Sequence, residues 1–209
     1  HDAHLPLRVE GPPPRAHPTP APPGMGKMTA AKSVPKLKAF REAGGNIVTS
    51  GSSTNLADHR QLPVRNALVE MTSSGKDRPL PNEKYYIPGS VLRVAVDSTQ
   101  QATWGLPSQT DLYFDASPVF KLAPEAIAKG QVVPLAWFDT AKPLRSGWAW
   151  GQSYLQDGVA AFMAPIGAGK FYAFGPEITF RAQAQGTFKM LFNQLYSVGK
   201  TSTSGSDAA

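Results

Sequence analysis

Ser50-Gly51-Ser52-Ser53 is the stretch of this chain best placed for covalent chemistry. It follows the apolar run "NIVTS", read as a buried strand, and precedes "TNLADHR", read as a short helix. A serine on a sharp strand-to-helix turn becomes a nucleophile when a base lies within hydrogen-bond reach. The elbow pattern G-x-S-x-G is not met here. His59 stands six or seven residues beyond Ser53 and Ser52, along the same short helix, which places it poorly as a base. Helix capping is the expected role of Ser52, Ser53 or Thr54.

Metal and phosphate chemistry find less support. Zinc needs three or four converging His, Cys, Asp or Glu ligands. Three of the four histidines, His1 and His4 among them, lie in a proline-rich leader, and His59 stands alone after Asp58. No metal site is expected in the chain. "GAGK" (167–170) fails as a phosphate loop, because Ala164 and Phe171 stand where that pattern requires Gly and Ser or Thr. A hairpin turn accounts for its glycines.

The 209 residues suffice for one domain with a sizeable core. There is no cysteine, so disulfides, thiolate metal sites and a Cys nucleophile are excluded. The net charge is +6, but residues 1–45 carry +4 of it, and the rest of the chain is nearly neutral. No basic stripe with interleaved aromatics marks a nucleic-acid surface. No apolar run is long enough for a membrane span. His1 is not an initiator methionine and no signal peptide is visible there, so the chain reads as a fragment or processed product.

Three regions follow from composition. Residues 1–24 hold eight of the twenty prolines and read as a disordered leader or linker, or as an out-of-frame stretch. Residues 25–198 form the domain, and 199–209 a flexible tail. Within the domain, "SVPKLKAFREAGG" reads as a helix with Ser33 as cap, Pro35 in the first turn and Gly44 as stop. Its apolar stripe is Leu37, Phe40 and Val34. Strands follow around Val91–Val96, in "DLYFDASPVFKL" and in "VVPLAWF", then a hairpin over "GVAAFMAPIGAGKFYAFG". A closing amphipathic helix places Phe188, Leu191, Phe192, Leu195 and Tyr196 on one face.

The strand end Phe174-Gly175-Pro176-Glu177 resembles the Phe-His-Pro-Glu of class I glutamine amidotransferases, whose His and Glu serve a triad. Here Gly175 stands at the His position and serines stand where the Cys would be. Glu177 alone has no imidazole to orient, and Ser52, Ser53 and Glu177 are the catalytic candidates that remain. "PLRSGWAWG" groups Arg145, Trp148 and Trp150, either as a peptide or sugar patch or as a loop packed on the core. Arg181 is expected to pair with Glu177 or another carboxylate.

Taken in order, "LKAFREAGGNIVTSGSSTNLADH", "LPVRNALVE", "YYIPGSVLRVAVD", "YFDASPVF", "PLRSGWAWG" and "FGPEITFRAQAQGTFKMLFNQLY" resemble the C-terminal region of bacterial zinc carboxypeptidase-family proteins. The resemblance spans about residues 27–197. It implies an α/β, flavodoxin-like, three-layer amidotransferase-like domain without its first strands and with an antiparallel hairpin near its end. It also implies a parent metallopeptidase, exported, that hydrolyses C-terminal peptide bonds. Zinc would sit in the parent's catalytic domain, upstream of His1. The implied partners are that domain and, through it, peptide substrate. A serine hydrolase and a free peptide- or glycan-binding module remain the alternatives.

Overall fold

The structure, a computed structural model, describes residues 30–60, 62–182 and 184–197. The expected leader (1–24), the tail (199–209), and with them His1 and His4, lie outside the described residues. In chain order the elements begin with α1 (Ala30–Glu42), β1 (Ile47–Ser50) and a 3-10 helix, Gly51–Arg60. Next come β2 (Val64–Asn66), β3 (Val69–Met71), β4 (Asp77–Pro79), β5 (Ser90–Val96), β6 (Gln109–Phe114) and β7 (Phe120–Leu122). The chain continues through α2 (Pro124–Ala128), β8 (Val133–Trp137), β9 (Leu144–Ser146), β10 (Val159–Ile166), β11 (Gly169–Phe174) and α3 (Phe188–Ser197).

Nine strands join one curled sheet, whose main path runs β1-β11-β10-β8-β5-β6. Its pairings are antiparallel except for β1 with β11, which run parallel with Ile47 opposite Phe171 and Ser50 opposite Phe174. The class is mixed α/β. The hairpin β10–β11 forms where the sequence places it. The two halves of "DLYFDASPVFKL" are both strands but do not pair with each other: β6 joins β5, while β7 joins β2 and β10.

β11 explains the layering. A strand points successive side chains to opposite faces. Phe171 and Ala173 enter one core with Ile47, Ala57, Phe120, Ala126 and Phe162. Tyr172 and Phe174 enter the other, with Leu92, Phe114, Leu135, Phe138 and Met190. The four-residue run Phe171–Phe174 is therefore buried on both faces, as its uninterrupted apolarity requires. The 3-10 helix and α2 cover the first face, and α3 helps cover the second.

The helices depart from the sequence expectation. The chain is already helical at Ala30, so Ser33 lies inside α1 rather than capping it, and Pro35 lies in the interior. Gly44 does stop the helix, at φ +94°, a left-handed conformation glycine adopts without strain. Phe40 is 55% exposed, while Arg41 turns inward. β1 is an edge strand with alternating burial, not a fully buried one. In α3 the inward face carries Met190 and Gln194, with Leu191 packed beside them, whereas Phe192, Leu195 and Tyr196 are exposed at 47%, 61% and 78%. Hydrogen bonds set this roll. Lys189 donates to the Gly105 carbonyl at 2.8 Å, and Asn193 donates to the carbonyls of Ala102 and Trp104 at 3.2 and 3.0 Å.

Tyr85 is 8% exposed, and its hydroxyl has no hydrogen-bond partner among the described residues. Burial raises its pKa well above the ordinary value of 10.0. The folded state thus holds the neutral phenol at a pH where the unfolded chain ionises. Its contribution is full below the unfolded pKa and is lost as pH rises toward the folded one. Tyr85→Phe is expected to leave stability at pH 7 unchanged or raised, since it removes an unpartnered hydroxyl. It should also flatten the loss of stability above pH ~10. Urea unfolding at neutral and alkaline pH checks both.

Candidate functional site

The parallel pairing of β1 with β11 brings two turns together. Ser50 opposite Phe174 ends the ladder, so Gly51-Ser52-Ser53 and Gly175-Pro176-Glu177 leave the sheet side by side. The Ser50 hydroxyl ties them, donating to the Pro176 carbonyl at 3.1 Å. Gly51 is left-handed, at φ +58°, and a Cβ there would lie 3.3 Å from Glu177 Cγ and 3.5 Å from its Oε1. The Glu177 carboxylate therefore lies over the turn that carries the serines.

The chemistry those turns can do is limited by their contacts. The Ser53 hydroxyl accepts the Ser50 N–H at 3.0 Å and donates to the Ser50 carbonyl at 2.7 Å. It thereby satisfies both backbone groups of the last β1 residue, on a strand that is itself a sheet edge. Thr54 donates to the Gly51 carbonyl at 2.7 Å. These two side chains hold the turn without capping it as expected: Ser53 bonds back to the last β1 residue, and Thr54 to the first residue of the 3-10 helix. Ser52 is exposed, with no side-chain partner among the described residues. His59 lies on the same 3-10 helix by its backbone, and its side chain is outside what the structure describes.

Gly175 decides the amidotransferase comparison. A Cβ at this position would come within 2.0 Å of the Pro118 carbonyl oxygen and 3.1 Å of the Ala160 carbonyl oxygen. The obstacle is backbone, so no rotamer change relieves it. A histidine base has no room here. The sequence shows that the imidazole is absent, and the packing shows that the backbone has closed over its place.

The aromatic loop is the second candidate. Trp150 and Tyr86 form an isolated antiparallel bridge, exchanging N–H···O bonds of 3.0 Å in both directions. The Trp150 indole N–H donates to the Glu83 carbonyl at 2.8 Å. Ser90 fastens Trp148, accepting its N–H at 2.9 Å and donating to its carbonyl at 2.6 Å. The backbone is held, yet the rings are not packed away. Trp148 is 61% exposed and Trp150 54%; Tyr86, bridged to Trp150, and Tyr154, four residues further on, are about half exposed. Of the two expected roles, packing onto the core does not describe these rings: backbone bonds, the Ser90 hydroxyl and the Trp150 indole N–H fix the loop, and both rings stay more than half exposed.

Of the two arginines, Arg181 departs from expectation. Arg145 lies 3.9 Å from Asp111, whose carboxylate already accepts two hydrogen bonds from Arg93 at 2.8 and 3.2 Å. Arg181 has no ion pair with Glu177 among the described residues. Its guanidinium sits 5.2 Å above the Phe180 ring, which stacks on Tyr113 at 4.4 Å. A cation over an aromatic face at φ +42° replaces the expected salt bridge. The sequence offered no signal for the Phe180–Tyr113 stack, since the partners lie on separate elements.

The described residues hold no group of three or more His, Cys, Asp or Glu able to bind a metal ion, and no helix long and apolar enough to cross a membrane.

The site and sheet together define a mixed α/β domain with a closed-over strand-end turn. No protein-family model and no curated protein matches the chain. Among solved structures, a β-galactosidase from Bacillus circulans sp. alkalophilus aligns with TM-score 0.48 and 11% identity, over 80% of this chain and 21% of that one. A putative GMP synthase component from Thermoplasma acidophilum aligns at 0.47 and 13% identity, over 79% of this chain and 64% of that one. A putative ThuA-like protein from Bacteroides uniformis aligns at 0.47 and 13%, over 86% and 69%. The chain spans less than two thirds of the length of the first two.

Gly175→Ala is expected to destabilise the domain by about 3 kcal/mol or more, because the new methyl meets backbone oxygen on two sides. Ser53→Ala, which frees two exposed hydrogen bonds, is expected to cost about 1 kcal/mol. Chemical denaturation of the two variants measures the difference; equal, small losses would contradict the close approach at Gly175.

Proposed function

We propose that this chain is a non-catalytic accessory domain of a zinc metallocarboxypeptidase-like protein. Its finer architecture is the flavodoxin-like, class I amidotransferase-like three-layer plan lacking its first strands. β11, with helical elements over both its faces, supports that plan. The parent would be exported and would hydrolyse C-terminal peptide bonds, with zinc held by its catalytic domain. The present domain would dock on that catalytic domain or help hold its peptide substrate.

One observation carries the non-catalytic reading. The position a base would occupy, Gly175, is blocked by the Pro118 carbonyl. The Ser53 hydroxyl is engaged in holding β1, which also weighs against a serine hydrolase. The parent's identity rests on the ordered segment resemblance in residues 27–197. Sequencing the gene upstream of His1 in the same frame tests it. The zinc site of the family resembled, His-x-x-Glu with a distant His, is expected there; a frame that lacks it removes the carboxypeptidase parent. A fluorophosphonate probe on the folded chain is expected to leave Ser52 and Ser53 unlabelled, and labelling of either would restore the hydrolase.

A second reading, a free peptide- or glycan-binding module, is favoured by the exposed rings of Trp148 and Trp150. On that reading, glycan or peptide array binding falls at least tenfold in Trp148→Ala and Trp150→Ala. Binding unchanged in both variants would set the module aside.

A further inference from the structure

We infer that the aromatic face of Tyr86, Trp148 and Trp150 binds a proline-rich peptide in polyproline II form, and that the peptide it holds is residues 11–24 of this same chain. The inference deepens the peptide-binding reading and rests on the exposed rings that favour it.

The three rings share one face. Tyr86 and Trp150 exchange N–H···O bonds of 3.0 Å in both directions, so they stand directly opposed across an antiparallel bridge. Opposed residues carry their side chains on the same side, with Cα atoms ~5.5 Å apart. Burial agrees. Tyr85 and Ile87 enter the core on either side of exposed Tyr86, and Ala149 packs against that core between exposed Trp148 and Trp150. None of the three rings stacks on another among the described residues, so their faces are open to a ligand.

The face is also ordered in advance. The Glu83 carbonyl holds the Trp150 indole N–H, and the Ser90 hydroxyl clamps both backbone groups of Trp148. Little ordering cost remains for a ligand to meet.

The free groups select the ligand. The Trp148 indole N–H and the Tyr86 hydroxyl have no hydrogen-bond partner among the described residues. A proline-rich chain has the matching inventory: its carbonyls carry no internal hydrogen bonds, and each proline lacks a donor. Its pyrrolidine rings lie on aromatic faces, which is how aromatic-lined grooves take polyproline II segments.

The chain supplies such a peptide. "GPPPRAHPTPAPPG" (11–24) holds seven prolines in fourteen residues. Its charge fits as well. Arg15 follows Pro12-Pro13-Pro14, while Glu83, whose carbonyl holds the Trp150 indole, is exposed and has no ion pair among the described residues. Length permits the contact: an extended chain from Pro14 to Ala30 reaches ~50 Å, and a domain of this size is ~40 Å across.

The test reads the four tryptophan indole N–H signals of the full chain by ¹⁵N NMR. The combined Pro12→Ala, Pro13→Ala and Pro14→Ala variant is expected to move the Trp148 and Trp150 signals and leave those of Trp104 and Trp137 in place. A synthetic peptide of residues 11–24, added to that variant, should move both signals back. It should bind at least tenfold more weakly when Trp148→Ala is introduced as well. Arg15→Glu and Glu83→Arg should each release the segment, and the two together should restore it. Hundredfold dilution of the full chain should change nothing. Glu83 and Trp148 are exposed, and retained spectral dispersion verifies the fold. The inference is overturned if the triple proline variant leaves both signals in place, or if a peptide with those three prolines replaced by alanine binds as well. It is also overturned if the signals move on dilution, which would give the segment to a second copy. Array binding that falls in Trp148→Ala, with no effect of the leader prolines, would keep the binding module and remove this inference alone.

Discussion

β11 carries its side chains into two separate cores, and the rest of the domain is arranged around that constraint. Phe171 and Phe174 are both fully buried, yet they point to opposite faces. A strand in this position must be covered on both sides and paired along both edges. β10 and β1 supply the pairing. The 3-10 helix and α2 lie over one face, α3 and the Gln101–Thr103 turn over the other. Each phenylalanine buried this way contributes about 2–3 kcal/mol from area alone. Four successive buried residues explain why the last hairpin, rather than the first helix, anchors the fold.

The same constraint shapes the strand-end turn. Because β1 and β11 are parallel and in register, the two turns that leave them must lie together. This places Glu177 over Gly51, while on the β10 side of β11 the Gly175 N–H donates to the Ala160 carbonyl and Gly175 lies against Pro118. The geometry that could have assembled a catalytic group instead brings backbone onto backbone at the decisive position. Ser53 is then recruited to close the β1 edge, a use of its hydroxyl that competes with nucleophilic chemistry.

Away from that turn, the surface is held by backbone bonds and leaves aromatic side chains outside. The Tyr86–Trp150 bridge and the Ser90–Trp148 pair fix the loop without burying the rings. α3 shows the same separation: Lys189 and Asn193 make three hydrogen bonds to the 102–105 segment, and Phe192, Leu195 and Tyr196 of its apolar stripe face outward. Both surfaces combine rigid backbone with exposed apolar area, which lowers the ordering cost of contact with a partner.

Much of this domain is legible in the sequence by itself. The hairpin is visible because two apolar runs flank a glycine turn. Gly44 is visible as a stop because the chain breaks helical pattern there. The missing base at Gly175 is a matter of residue type alone. What the sequence leaves open depends on contacts between distant segments. The stripe Phe188, Leu191, Phe192, Leu195 and Tyr196 has helical spacing, but spacing does not say which way a helix is rolled. Hydrogen bonds to the 102–105 segment decide that, and they turn Met190 and Gln194 inward. Arg181 looks like a salt-bridge partner until the Tyr113–Phe180 stack supplies a ring beneath it. Residue type determined which chemistry is absent; tertiary packing decided which surfaces remain, because exposure and approach belong to pairs of segments and not to any one of them.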